Sequence, residues 1–170
     1  FSFGKERFIA NIRWALLKQF QKGNIVYHGL AGHIFLQGIS HVLKVRIITD
    51  LETRVQEERK RENISAQEAR YVLKKDDEER RKWSLYLYGI DTWNPDQYDM
   101  VLNIASLTVD DAADIIANTI QFPLFKTTAA SQKKIENLAL AAKVHSSLFE
   151  YPNAKVRASE GVVTVTIKAP

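Results

Sequence analysis

"HVLKVRIITDLETRVQEERKRE" (His41–Glu62) changes its periodicity halfway along. His41 to Thr49 is rich in β-branched residues and reads as a strand. Asp50 then supplies a carboxylate where a helix would begin, and that helix runs to about Glu62. A strand feeding directly into a capped helix is the unit from which α/β folds are built.

Outward toward the C-terminus, Ser65 with Glu68 three residues on forms a capping box, and the helix it opens can continue to Leu87. Gly89, Pro95 and the Asp and Asn residues around them mark a turn. "YDMVLNI" (Tyr98–Ile104) supplies a further strand, and Thr108 opens a helix carrying Val109, Ala112, Ala113, Ile115 and Ile116. Toward the N-terminus, apolar residues at 8, 9, 12, 16, 17 and 20 have helical spacing from Phe3 to Lys22, and Gly23 ends that helix. "NIVYHGLAGH" (Asn24–His33) reads as a strand, Asn24 to His28, followed by a Gly-x-x-Gly turn at Gly29 and Gly32. A short helix, Ala31 to Gln37, closes at Gly38. A helix between the first two strands predicts that they pair in parallel as a βαβ unit.

The pattern breaks at "QFPLFKTTAAS" (Gln121–Ser131), which reads as a linker. Beyond it lie one helix, Gln132 to Phe149, and two strands flanking a turn at Glu160-Gly161. Val163, Val165 and Ile167 alternate with Thr164, Thr166 and Lys168, as in a strand with one wet face. The expected division is a domain at 1–121, a linker at 122–131, and a helix plus β-hairpin at 132–170.

A chain of 170 residues with 45% apolar content can bury a core. The absence of cysteine excludes disulfides, thiolate metal sites and cysteine nucleophiles. No apolar run approaches the roughly 20 residues of a bilayer span, so a soluble, cytoplasmic protein is expected. Residues 51–90 hold ten basic and nine acidic side chains, a balance that argues against a nucleic-acid stripe. A basic first quarter and an acidic third quarter suit a cleft for an anionic small molecule. The four histidines lack H-x-x-x-H and H-E-x-x-H spacing, no G-x-S-x-G elbow occurs, and neither does G-x-x-x-x-G-K-[ST].

The charged stretch "RENISAQEARYVLKKDDEERRKW" (Arg61–Trp83) has acid-before-base spacing at Asp76–Arg80, Asp77–Arg81 and Glu78–Lys82. Each such pair stabilises a helix by roughly 0.2–0.5 kcal/mol. Two readings follow: a solvated helix held by its own ion pairs, or a lid whose arginines close on phosphate. Trp83, Tyr86, Leu87 and Trp93 are expected to form a seam where this helix meets the sheet.

In order and spacing, "VYHGLAGHIFL", "KVRIITDLETRVQEERKRENIS", "QEARYVLKKDDEERRKW" and "YDMVLNIASLTVDDAADII" resemble the cytidylate kinase-like branch of the nucleoside monophosphate kinases over residues 24–120. The resemblance implies part of a P-loop kinase fold: three layers, a parallel sheet and a helical lid, with a small C-terminal helix and hairpin. It implies ATP and Mg²⁺ as cofactors and a nucleotide or other phosphorylated small molecule as acceptor. A homodimer is compatible with it; nucleic acid is not an expected partner.

By that resemblance Arg54, Arg61, Arg80 and Asp77 are the catalytic candidates, the arginines neutralising charge on the transferring phosphoryl oxygens. Asn103 and Ser106 bracket the loop that packs against the nucleotide base. Gly29, Leu30, His28 and His33 occupy the acceptor turn. Relatives generally carry Gly-Arg there and this chain has Gly29-Leu30, where leucine cannot donate; His28 and His33 flank the turn either as replacement donors or as merely hydrogen-bonded side chains. The P-loop segment has no counterpart, and the expectation is that it precedes Phe1 and that this chain alone does not transfer phosphate. The tail "AAKVHSSLF … AKVRASEGVVTVTIKAP" resembles part of a BON domain.

Overall fold

The computed structural model describes residues 2–30, 32–151 and 153–167. Ala31, expected to open the short helix, and Lys168, expected on the wet face of the last strand, lie outside them. Residues group into two compact units: the described part of Phe1–Val42 with Lys126–Pro170, and Leu43–Phe125. No helix of the described residues is long and apolar enough to cross a membrane.

The first unit contains α1 (Ser2–Phe20), α2 (Gly32–Phe35), α6 (Ala129–Ser147) and the strands β3 (Lys155–Ser159) and β4 (Val162–Thr166). Helix α1 packs on α6, and α6 on β3. Leu17 and Phe20 from α1 and Ile135, Ala139 and Ala142 from α6 are buried, the alanines permitting close approach of the backbones. Two polar contacts fasten the pieces: Gln132 Nε2 donates to Gln21 O (3.1 Å), and Lys134 Nζ to Gly38 O (2.6 Å). Helix α6 starts at Ala129, earlier than the expected Gln132, because Thr128 and Ser131 make a capping box there. The hairpin is antiparallel about Glu160 and Gly161, both at positive φ (50° and 79°), as a two-residue turn requires.

Asn24–His28 does not form a strand. Asn24 is left-handed (φ 52°), Val26 is 99% exposed, and the strands of this unit pair only with each other. β-Branched composition makes a strand only where a partner edge pairs with it, and among the described residues no strand pairs with this segment. Tyr27 instead organises the glycine turn. Its ring meets Phe20 edge-on at 5.4 Å, and its hydroxyl donates to Leu30 O (2.9 Å). A Cβ on Gly32 would fall 2.5 Å from two Tyr27 ring carbons. Gly32→Ala must therefore displace the ring, costing about 1–3 kcal/mol, more than the roughly 0.5–1 kcal/mol that alanine adds in helix propensity. A melting temperature lower by about 2–4 °C is expected; an unchanged value would remove Tyr27 as the reason for this glycine.

The second unit contains β1 (Val45–Ile48), α3 (Leu51–Glu62), α4 (Ala66–Tyr88), β2 (Met100–Asn103) and α5 (Val109–Thr119). The parallel pair is β1 with β2, in register Val45↔Met100 to Ile48↔Asn103, with α3 and α4 as the crossover. The parallel unit thus joins the second and third expected strands, since the first is not formed. Five of the six helix ends in this unit have a local cause. The Asp50 side chain accepts from Thr53 N, Asn63 (φ 55°) stops α3, Ser65 and Glu68 box α4, Gly89 stops it, and Thr108 with Asp111 boxes α5. Val55 and Ala69 are buried as α3 packs on α4. Lys44 ties its own N–H and its Nζ to the Asp99 carboxylate, both at 2.8 Å, where the two strands begin.

Of the expected aromatic seam only Leu87 is buried; Trp83, Tyr86 and Trp93 are exposed. Trp93 lies on a clasp instead. Arg81 donates to the Asp91 carboxylate (2.7 Å) and its guanidinium sits 4.6 Å from the Trp93 ring centre, while Arg46 donates to Trp93 O (2.8 Å). The Arg81 hydrogen bond first, and the Trp93 N–H second, hold the Asp91 carboxyl below its ordinary 3.8. The caps do the same for Asp50 and Asp111. A depressed folded-state pKa contributes stability that is present above the unfolded value and lost as pH falls through the folded one. The melting temperature should stay level from pH 7 to about 5 and drop below about 4. Asp91→Asn should start lower at pH 7 and drop less, as melting curves from pH 7 to 3 would show.

Candidate functional site

Thr49 and Ile104 immediately follow β1 and β2, so they mark the carboxyl edge of the parallel pair, where open α/β sheets take ligands. They line an open hollow of about 630 Å³ together with Thr53, Arg54, Glu57, Glu58, Lys60 and Arg61 of α3 and Leu73 of α4. Arg54, Glu57, Glu58 and Arg61 fall at i, i+3, i+4 and i+7, one face of a helix. Thr53 Oγ1 donates to Asp50 Oδ2 (2.7 Å), which holds the first turn of α3 beside the strand end.

Three cations thus share this wall, and their partners are specific. Arg54 Nη1 and Nη2 donate to the two oxygens of Asp77 on α4 (2.6 and 2.8 Å). That hydrogen-bonded pair raises the Arg54 guanidinium further above its ordinary value. Lys60 meets Glu57 at 2.9 Å. Arg61 meets the buried Glu58 at 2.7 Å and Glu62 at 2.9 Å, and the Glu62 hydrogen bond, then the Glu58 charge, raise it likewise. The lining thus carries three cations and two glutamates, and it can take phosphate oxygens where the guanidinium and ammonium groups exchange their carboxylate partners for them.

Of the catalytic candidates, Arg54 and Arg61 line this hollow, Asp77 reaches it through Arg54, and Arg80 does not line it. Arg80 is exposed on α4. The helix-internal pairing also differs from expectation. Glu78–Lys82 forms at 3.4 Å, but Asp77 is taken by Arg54 and Arg81 by Asp91. No Asp76–Arg80 ion pair occurs among the described residues. Bidentate arginine–carboxylate pairs between elements outcompete single contacts along one helix.

The other candidates are placed as follows. Asn103 ends β2, and its Oδ1 accepts from Ala105 N (3.0 Å), which shapes the bend toward the exposed Ser106. Neither lines the hollow; Ile104 between them does. Gly29 and Leu30 belong to the turn built on Tyr27, and His28 and His33 flank it, all within the first unit. Sequence reasoning passed over Lys60, Glu57, Glu58 and Thr49. For the two glutamates the signal was available, since 57 and 58 share the helical face of 54 and 61.

The sequence model of the cytidylate kinase-like family matches residues 2–106. That span runs from α1 through the bend after β2 and includes every candidate residue named above. No curated protein matches the chain.

Proposed function

The chain belongs to the cytidylate kinase-like family, and on that premise we propose that it is the nucleotide-kinase-like part of a protein that moves the γ-phosphoryl group of ATP to a nucleotide or another small acceptor. One observation carries the reading: Arg54, Lys60 and Arg61 line a single hollow at the carboxyl edge of the parallel strands. In this reading Arg54 and Arg61 neutralise phosphoryl oxygens, Asp77 is the carboxylate that holds the Arg54 fork before the phosphate arrives, and Arg80 is delivered by α4 acting as the lid. The bend from Asn103 to Ser106 borders the nucleotide base. The donor set fits phosphate oxygens, and bound ATP with Mg²⁺ would supply the transferable group. The chain has no G-x-x-x-x-G-K-[ST] loop to hold the β- and γ-phosphates. We therefore take these residues by themselves to bind phosphate without turnover, the loop being supplied from elsewhere in the parent protein. The kinase-like part is taken to extend to residue 121.

A second reading is a nucleotide-sensing module derived from a kinase, with the BON-like tail recruiting a partner. The first unit favours it at one point: Leu30 cannot donate, and Tyr27 fills the turn that would grip an acceptor phosphate. Thermal shift with nucleoside mono- and triphosphates and Mg²⁺, followed by turnover assays on the parent, separates the two. Stabilisation with turnover supports the kinase, stabilisation without turnover the sensor, and no stabilisation by any nucleotide removes both.

A further inference from the structure

The three cations that line the hollow differ in how their carboxylates are placed. Glu57 and Glu58 lie on the same helix as Lys60 and Arg61 and themselves line the hollow. Asp77 lies on the other helix, is not among the lining residues, and takes both terminal nitrogens of Arg54. We propose that the Arg54–Asp77 pair is an autoinhibitory latch: an anion in the hollow and Asp77 compete for one guanidinium fork, and binding hands Arg54 from α4 to the anion. This rests on the phosphate reading of the hollow.

The competition follows from geometry and charge. Carboxylate and phosphoryl groups both present paired oxygens to the guanidinium. The end-on pair of N–H groups that Asp77 takes is closed to an anion, which is left with the remaining three N–H groups and a partner already charge-compensated. While Asp77 holds the fork its charge offsets that of Arg54, so a second anion is drawn less strongly. Two bridges cross between α3 and α4 in this region, Arg54–Asp77 and Arg70–Glu52. Release of the first leaves the second in place, and Arg81 stays bonded to Asp91, so what the latch frees is the Arg54 fork and not the helix.

Calorimetric titration of the 170-residue chain with inorganic pyrophosphate, at fixed ionic strength, tests the latch. Asp77→Asn should bind roughly three- to tenfold tighter than the unaltered chain although it melts lower without ligand. Asp77→Ser should behave alike and guards against a peculiarity of the amide. Glu52→Gln removes the other bridge and the same charge; it should melt lower with unchanged affinity. Arg61→Ala should bind more weakly. If Asp77→Asn binds no tighter while Arg61→Ala is weakened, the latch is overturned and the anion site stands. Equal tightening in Glu52→Gln points to general loosening and also overturns it. If the unaltered chain takes up no pyrophosphate, latch and phosphate reading fall together.

Discussion

Ile135→Asp lowers the melting temperature of the chain by more than 10 °C, or leaves no cooperative transition at all. Ile135 is 0% exposed and sits on α6, the helix that packs on both α1 and β3. A carboxylate there is shut off from solvent, and burying it, charged or protonated, costs several kcal/mol. The lost isoleucine packing adds roughly 2–5 kcal/mol. Against a total stability of about 5–15 kcal/mol, either contribution is a large share. Ile135→Val, which removes one methylene, is the calibrating variant, at about 0.5–1.5 kcal/mol. Both are read by circular dichroism against temperature. An Asp variant that melts within 2 °C of the original would mean that α1 and α6 are not packed through this residue.

The second large effect concerns the hollow. Arg54→Ala combined with Arg61→Ala should abolish stabilisation by nucleoside triphosphates, with affinity down at least about a hundredfold. Each arginine contributes charge-assisted hydrogen bonds and a field that falls off within a Debye length of about 8–10 Å, so neither is replaced from a distance. Arg54→Lys separates charge from fork: it keeps the positive charge, loses the paired donors, and should recover only part of the affinity. Arg59→Ala, one residue before Lys60 and not among the lining residues, serves as control. If the double variant binds as well as Arg59→Ala, the hollow is not where phosphate goes.

The pattern of right and wrong expectations follows how far apart the deciding residues are. Asp50, Ser65–Glu68, Gly89 and Thr108 acted where their own side chains or backbone angles could reach, within one helical turn; the elements between 41 and 120 formed, with the two strands shortened to Val45–Ile48 and Met100–Asn103. Asn24–His28 has equally good strand composition and is not a strand, because pairing depends on an edge contributed from elsewhere. The arginines show the same division. That 54, 57, 58 and 61 share a face is a matter of spacing. That Asp77 answers to Arg54 and not to Arg81 is visible only once α3 and α4 lie side by side.

By itself, then, the order of residues determined most helix ends, the turn of the hairpin, the kinship of residues 2–106 and the shared face of Arg54, Glu57, Glu58 and Arg61 on α3. These depend on caps, φ angles and periodicity, which act over three or four residues. Only the tertiary structure decided which strands pair, that Tyr27 occupies the glycine turn, and which carboxylate each cation meets. Those outcomes are contests between partners far apart in the chain, and packing picks the winner.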